Sequence, residues 1–337
     1  MNSVRFDFSP KSDKAKFTFT DICAGIGGMR LAFENLGGEC VFSSEWDKFC
    51  KITYHENFGD TPQGDITKIP IKDIPKHDVL LAGFPCQPFS KSGFATRKFL
   101  NKKDGFADEN QGKIFFQIVK IIAEKKPKAI FLENVPRLVR MNKGKTFEII
   151  LSELEKLGYD CKHKVISAET VVPQRRERLY IVATRKGIDF EFPEIPDLKP
   201  ELRQILEKNT DEKYILSDNT WNWLQNHAKK HSSMGNGFGF RMADPKKTAC
   251  TLSARYGKDG SEILIPRKQG NPRKLSPREC ARLMGFPDDF KIMVSDTQAY
   301  KQFGNSVVVP VIFLIGFQIV KKLNTFKIPS QKITQKT

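Results

Sequence analysis

Asp78-Val79-Leu80-Leu81-Ala82-Gly83-Phe84-Pro85-Cys86-Gln87-Pro88-Phe89-Ser90 runs from an unbroken apolar stretch straight into a turn. A short apolar run bounded by turn formers reads as a strand buried on both faces, the habit of parallel sheets. Prolines at 85 and 88 bias Phe84 and Gln87 away from helix, so Cys86 is expected in a stiff turn beyond the strand end. Open α/β sheets place their ligands outside the carboxyl ends of their strands. A cysteine there is a candidate nucleophile. Free cysteine is more often a small buried hydrophobe, but the flanking glycine, prolines and serine argue against simple core packing.

The alternation continues on both sides of this strand. Strands are expected at Phe17–Asp21, Glu39–Ser44, Val79–Gly83, Ala129–Glu133, Lys164–Ser167 and Leu179–Thr184. Helical stretches such as Met29–Leu36, Lys113–Lys125 and Thr146–Leu157 lie between them. Strand–helix alternation implies an α/β fold with a doubly wound, mainly parallel sheet. After Arg185 the pattern changes. Three prolines fall between Phe190 and Pro200, and turn formers dominate to about Gly270, so a separate loop-rich domain is expected there. Ser276-Pro277-Arg278-Glu279 then opens a helix as N-cap, first-turn proline and capping-box glutamate, ending near Gly285.

Bulk properties narrow the classes. The chain has 337 residues, 39% of them hydrophobic and 28% charged, as in a globular protein with a real core. A formal net charge of +17 favours a polyanionic partner. The seven cysteines are scattered without a C-x-x-C pair, and the five histidines make no zinc-site spacing, so neither a disulfide framework nor a metal is expected. This usage suits a reducing, cytoplasmic setting. The polar start of the chain has no apolar core for a signal peptide. The apolar run Val307 to Phe317 carries Pro310 and is shorter than the roughly 20 residues of a membrane span, so no membrane role is expected.

Two constellations carry chemistry. Asp21-Ile22-Cys23-Ala24-Gly25-Ile26-Gly27-Gly28 follows the first strand, and its glycines let the backbone approach a ligand. Glu45-Trp46 at the end of the second strand offers an acceptor for ribose hydroxyls and an indole to stack on adenine. Asp65-Ile66 could read the adenine edge. With no Walker lysine, the set suits an adenosine-containing cofactor without a polyphosphate. The other constellation is Cys86, Glu133 and Gln174-Arg175-Arg176-Glu177-Arg178. Glu133 ends its strand on the sheet edge expected for Cys86, and the arginines could grip phosphates or a base carbonyl.

With Arg273-Lys274-Leu275-Ser276-Pro277-Arg278-Glu279-Cys280-Ala281-Arg282 and Gln302-Phe303-Gly304-Asn305-Ser306-Val307 added, the chain resembles the bacterial C5-cytosine DNA methyltransferases of restriction-modification systems. The resemblance runs from Phe17 to about Leu323. It implies a Rossmann-like S-adenosylmethionine-dependent methyltransferase fold. It implies a catalytic and cofactor-binding domain over 1–188 and 300–337, a target-recognition domain over 189–275 and a hinge over 276–299. Cys86 would add to carbon 6 of a flipped cytosine. Glu133 would hold N3 and the exocyclic amine, Arg178 the O2 carbonyl and Arg176 a nearby phosphate. S-adenosylmethionine would contact Cys23, Ala24, Gly25, Gly27, Gly28, Glu45, Trp46, Asp65, Ile66, Pro85, Asn305 and Val307. Double-stranded DNA would meet Ser90, Ser92, Lys98, Lys102, Lys103, Thr251, Leu252 and Arg255, the stretch from Ser90 to Asp108 acting as a lid. Cys23 departs from the phenylalanine that many relatives carry against the adenine. Pairing with a restriction endonuclease follows from the resemblance, and one flipped base needs only a monomer.

Other readings differ in what they require. A structured RNA could replace DNA as substrate, but the sizeable region after Arg185 with Thr251-Leu252 favours DNA. A silent DNA-binding protein would not need Cys86. A cysteine hydrolase needs a histidine base, and none stands at a comparable strand end.

Overall fold

The computed structural model describes residues 15–84, 113–235 and 239–325. Cys86, Pro85, Ser90, Ser92, Lys98, Lys102 and Lys103 therefore lie outside the described residues.

Strand β1 (Phe17–Ile22) leads through helix α1 (Gly28–Asn35) to β2 (Gly38–Ser44), and α2 (Lys48–Phe58) follows. Next come β3 (Val79–Gly83), α3 (Lys113–Lys125), β4 (Ala129–Asn134) and α4 (Lys145–Lys156). β5 (Tyr159–Ser167) and β6 (Glu177–Arg185) complete a sheet of order β2-β1-β3-β4-β6-β5. Alternate residues of the central strands face opposite ways, and both faces are covered. Val79, Leu81, Ala129, Phe131, Tyr180 and Val182 join one apolar cluster, which includes Phe33 of α1 and Ile312 further on. Leu80, Ala82, Ile130, Leu132, Leu179 and Ile181 join the other, with Ile118 of α3 and Ile150 of α4. Double-sided burial is why these strands read as continuous apolar runs.

The sheet is parallel through β2-β1-β3-β4, while β6 runs antiparallel to both β4 and β5. Only a turn of 3-10 helix, Ala168–Thr170, lies between β5 and β6. A parallel crossover needs a dozen or more residues, usually with a helix, so the short link returns antiparallel. β5 begins at Tyr159, earlier than the expected Lys164. It is an edge strand whose middle, His163 to Val165, is exposed, which hides it from an apolar pattern.

Beyond β6, α5 (Asp218–Ser233) is a helix where a loop-rich region was expected. Ser217 caps it by accepting from Thr220 N–H, yet Leu224 is its sole fully buried residue, so its apolar periodicity is faint. The expected helix after Ser276 is α6 (Pro277–Leu283), with both bonds of its capping box present. α7 (Asp296–Asn305) and α8 (Val309–Thr325) follow. The span Asp296–Leu323 is apolar enough to cross a membrane by length and composition, but 61% of its apolar window is buried inside the protein. Leu252, Tyr256, Ile263 and Leu275 share the cluster of Phe19 and Phe131, while Leu216, Leu224 and Leu264 form a small cluster apart.

Candidate active site

The carboxyl ends of β1, β3 and β4 and the start of β6 meet at one rim. Gly83 lies opposite Glu133 in the β3–β4 register, and Glu133 opposite Tyr180 in the β4–β6 register. Because β6 is antiparallel, its first residues arrive at this rim. Arg178 Nε thus stands 3.1 Å from Glu133 Oε1, with both side chains mostly buried. Burial pushes the Glu133 carboxyl above the usual carboxylate range, and Arg178, then Arg176, oppose that rise. Asn134 Nδ2 donates to Phe84 O at 2.8 Å, pinning the chain that leads toward Cys86 beside this pair. A cleft lined by Pro136, Glu169, Arg175, Glu177, Arg178 and Thr251 opens there. The arrangement presents a carboxylate and a guanidinium side by side, able to accept from an amine and donate to a carbonyl on one planar ring.

Arg176 is 2% exposed and lies away from any approaching phosphate. Its guanidinium donates to Leu252 O at 3.0 Å, Gly304 O at 3.0 Å and Ser306 O at 2.7 Å. Burial, then the neighbouring Arg178, pull its pKa down to about 9, so it remains a cation at neutral pH. Leu252 is also fully buried, while Thr251 and Arg255 are exposed. The expectation that Arg176 and Leu252 meet DNA does not survive this burial. A run of charges reads as a solvated face, and nothing local reveals carbonyls contributed by residues 76 to 130 positions away.

The glycine turn lies across the rim from this pair. Cys23 takes a positive φ of 58°, Ala24 N–H donates to Ser44 O at 2.9 Å, and Gly25 has φ 56° with nothing within 4 Å of a would-be Cβ. That vacancy is a cradle a ligand can enter. A Cβ on Gly28 would lie 2.8 Å from Val307 Cγ2, so the returning chain at Val307 packs directly on the turn, with Asn305 exposed nearby in sequence. A Cβ on Gly27 would instead strike the Phe58 ring.

Glu45 Oε2 accepts from Gly25 N–H at 2.8 Å, and Oε1 accepts from Trp46 and Asp47 N–H at 2.9 and 2.8 Å. Three of its roughly four lone pairs are used, leaving one for a hydroxyl. Trp46 is 81% exposed, an open apolar platform. Asp65 Oδ1 accepts from Thr67 N–H at 3.0 Å and caps a short 3-10 turn that buries Ile66. Two buried polar atoms near the turn, Asp21 Oδ2 and Ser44 Oγ, have no partner in the protein. Burial raises Asp21 to about 7. An exposed indole, a partly committed carboxylate, an open glycine and orphaned polar atoms fit an adenosine-containing ligand with a charged tail. Asp21 was legible only as the head of the turn; its burial and orphaned oxygen come from the packed sheet.

The C-5 cytosine-specific DNA methylase family model matches residues 17–321. The chain is 49% identical to Type II methyltransferase M.DsaV of Dactylococcopsis salina over 93% of this chain and 88% of that protein. It is 40% identical to Type II methyltransferase M.HhaI of Haemophilus parahaemolyticus over 91% of this chain and 95% of that protein. The structure superimposes on the Schizosaccharomyces pombe Dnmt2 methyltransferase with a TM-score of 0.73, covering 92% of this chain and 99% of that one at 20% identity, a likeness of fold. S-adenosylmethionine is the methyl donor this family uses. The match spans nearly every described element, and the chain belongs to the C-5 cytosine-specific DNA methylase family.

Proposed function

We propose that this protein methylates carbon 5 of one cytosine within a short duplex DNA sequence, and that Cys86, Glu133 and Arg178 perform the chemistry. The Glu133–Arg178 pair, in register with the strand that leads to Cys86, carries this reading. Carbon 6 is shielded inside a duplex, so the target nucleotide is flipped into the cleft. There Arg178 donates to O2 and Glu133 receives the exocyclic amine and stabilises the ring at N3. An acceptor facing the amine selects cytosine over thymine. The Cys86 thiolate forms a bond to carbon 6, and the electron pair of the 5,6 double bond moves to carbon 5. S-adenosylmethionine, held at the glycine turn, would supply the electrophilic methyl for that carbon, the methyl–sulfur bonding pair staying on sulfur as a neutral thioether. Loss of the carbon 5 proton then drives out the thiolate and restores the aromatic ring.

Trp46, Glu45, Asp65 and the turn Cys23 to Gly28 hold the methyl donor, with Pro85, Asn305 and Val307 closing around it. Thr251 and Arg255 face DNA. Residues 1–188 and 300–337 act as the catalytic part, 189–275 as the recognition part and 276–299 as the hinge. Ser90, Ser92 and the lysines at 98, 102 and 103 belong to a lid that grips backbone phosphates. The protein works as a cytoplasmic monomer and protects DNA from a partner restriction endonuclease. Incubation with duplex DNA carrying 5-fluorocytosine tests the mechanism, because fluorine cannot leave as a proton does. A Cys86-dependent covalent adduct is expected on cognate DNA. Cofactor binding without any adduct refutes the reading, and bisulfite sequencing of DNA from expressing cells identifies the recognition sequence.

A further inference from the structure

Gln174 makes buried bonds that the chemistry above does not use. The residue is fully buried. Its Oε1 accepts from Leu252 N–H at 2.8 Å, and its Nε2 donates to Leu283 O at 3.2 Å beside the Met284 sulfur. Around it two segments run side by side. Ala249 N–H donates to Pro173 O and Arg175 N–H to Ala249 O, each at 2.8 Å. The Thr251 hydroxyl donates to Arg175 O, and Arg176 donates to Leu252 O at 3.0 Å. Both main-chain groups of Leu252 are therefore held by side chains two residues apart, just before the strand that delivers Arg178 to Glu133.

We infer that Gln174 is a positioning residue for DNA recognition: it locks Leu252, and through it Thr251, in register with Arg178. A short ladder of main-chain bonds specifies register weakly, since the same pattern recurs on slipping along the chain. A side-chain amide at fixed depth does not recur. It must also accept on one side and donate on the other. Leu283 ends α6, where carbonyls lack partners within the helix, so the donor side joins the hinge to the same unit. Neither an ionised glutamate nor a methionine satisfies both sides. The grip on DNA and the grip on the flipped base thus belong to one rigid body. This inference rests on the reading that Thr251 meets DNA.

A double-mutant cycle on the full chain tests it, using cognate duplex and S-adenosylmethionine with wild type, Gln174→Met, Thr251→Ala and the double variant. Gln174→Met is expected to raise KM for DNA about tenfold, the scale of one buried hydrogen bond. KM for S-adenosylmethionine should stay within about twofold of wild type, and the double variant should bind DNA no worse than the weaker single variant. Single effects that multiply overturn the coupling, as does a parallel rise in both KM values, which a general loss of packing would cause. An inert Thr251→Ala overturns it together with the placement of Thr251 on DNA. The 5-fluorocytosine adduct is measured alongside in wild type. Its presence with multiplicative effects fails the coupling alone, whereas its absence fails the methylation reading. Should Gln174→Met not fold, Gln174→Glu, which keeps an oxygen facing Leu252 N–H, enters the same cycle. An ionised glutamate offers no donor to Leu283 O. KM for DNA is then expected to rise about tenfold with KM for S-adenosylmethionine within about twofold of wild type, and a wild-type KM for DNA overturns the need for both sides.

Discussion

Arg176→Met separates two roles for a residue whose sequence context suggests phosphate binding. In the structure its guanidinium donates to three buried carbonyls at 3.0, 3.0 and 2.7 Å. Hydrogen bonds to a charged group contribute about 1.5–3 kcal/mol each, so the gross term is roughly 4–9 kcal/mol. Opposing it is the burial that, with the neighbouring Arg178, depresses the arginine from its usual range to about 9. The two terms oppose each other, so the arginine adds less net stability than its hydrogen bonds alone suggest. Methionine removes both terms but leaves three carbonyls buried without donors. Removing one partner of a buried charged network costs roughly 3–5 kcal/mol. Against a total stability of about 5–15 kcal/mol the variant stays folded at 25 °C but marginally. Urea denaturation should show a lower midpoint at unchanged slope. The salt dependence of DNA binding should keep its slope. A phosphate-gripping arginine would do the opposite, lowering the slope by about one and leaving stability within about 0.5 kcal/mol. An unchanged urea midpoint with a reduced salt slope refutes the structural assignment.

Glu133→Gln should lower kcat by about 10²–10⁴, with DNA affinity little changed, because the carboxylate acts on charge that develops during reaction; a wild-type kcat removes Glu133 from the chemistry. Asp21 has a folded pKa of about 7 against 3.8 when unfolded, so the fold binds the extra proton. Its stabilising contribution is present below about pH 4 and lost as pH rises through 7. Asp21→Asn should therefore raise the Tm at pH 8 and narrow that gain at pH 5; an equal effect at both pH values counts against the buried acid. Gly304→Ala would drive a methyl group into Ser253 C and O and Ala254 N, all backbone atoms that cannot turn aside. It should destabilise by roughly 1–3 kcal/mol and raise KM for DNA, since Thr251 lies on the displaced segment. A wild-type melting curve would show that the approach is looser than this.

Much of the fold was legible because burial on both faces writes itself into continuous apolar runs at β3 and β4. The same logic failed at β5, whose exposed lysines and histidine belong to an edge. It also missed the direction of β6, although the absence of a helix between Ser167 and Glu177 was the available sign. α2 starts on an Asp47 cap and ends on Gly59 in the left-handed region, yet buries only Thr53 and Tyr54, too few for a clear period. At the site, Glu133 and the glycine turn were readable from their places at strand ends. Arg176, Leu252 and Gln174 were not, because their partners lie in segments brought together only by packing.

The antiparallel course of β6 has a further consequence for the chain that follows. β6 ends at Arg185, opposite Tyr159, on the rim far from the cleft. By Leu198 the chain has returned, its N–H donating to Thr170 O next to the carboxyl end of β5. The stretch from 186 to 198 therefore spans the length of β5, about 30 Å at a strand's rise per residue. In an extended, proline-bearing form it reaches at most about 40 Å, and Ile188 and Phe190 are buried along it. This tether has only about 10 Å of slack. It works as a gauge that meters how far the segment beginning at Leu198 stands from the far end of β6. Deleting about four residues from the gauge would use up that slack and pull Leu198 away from Thr170.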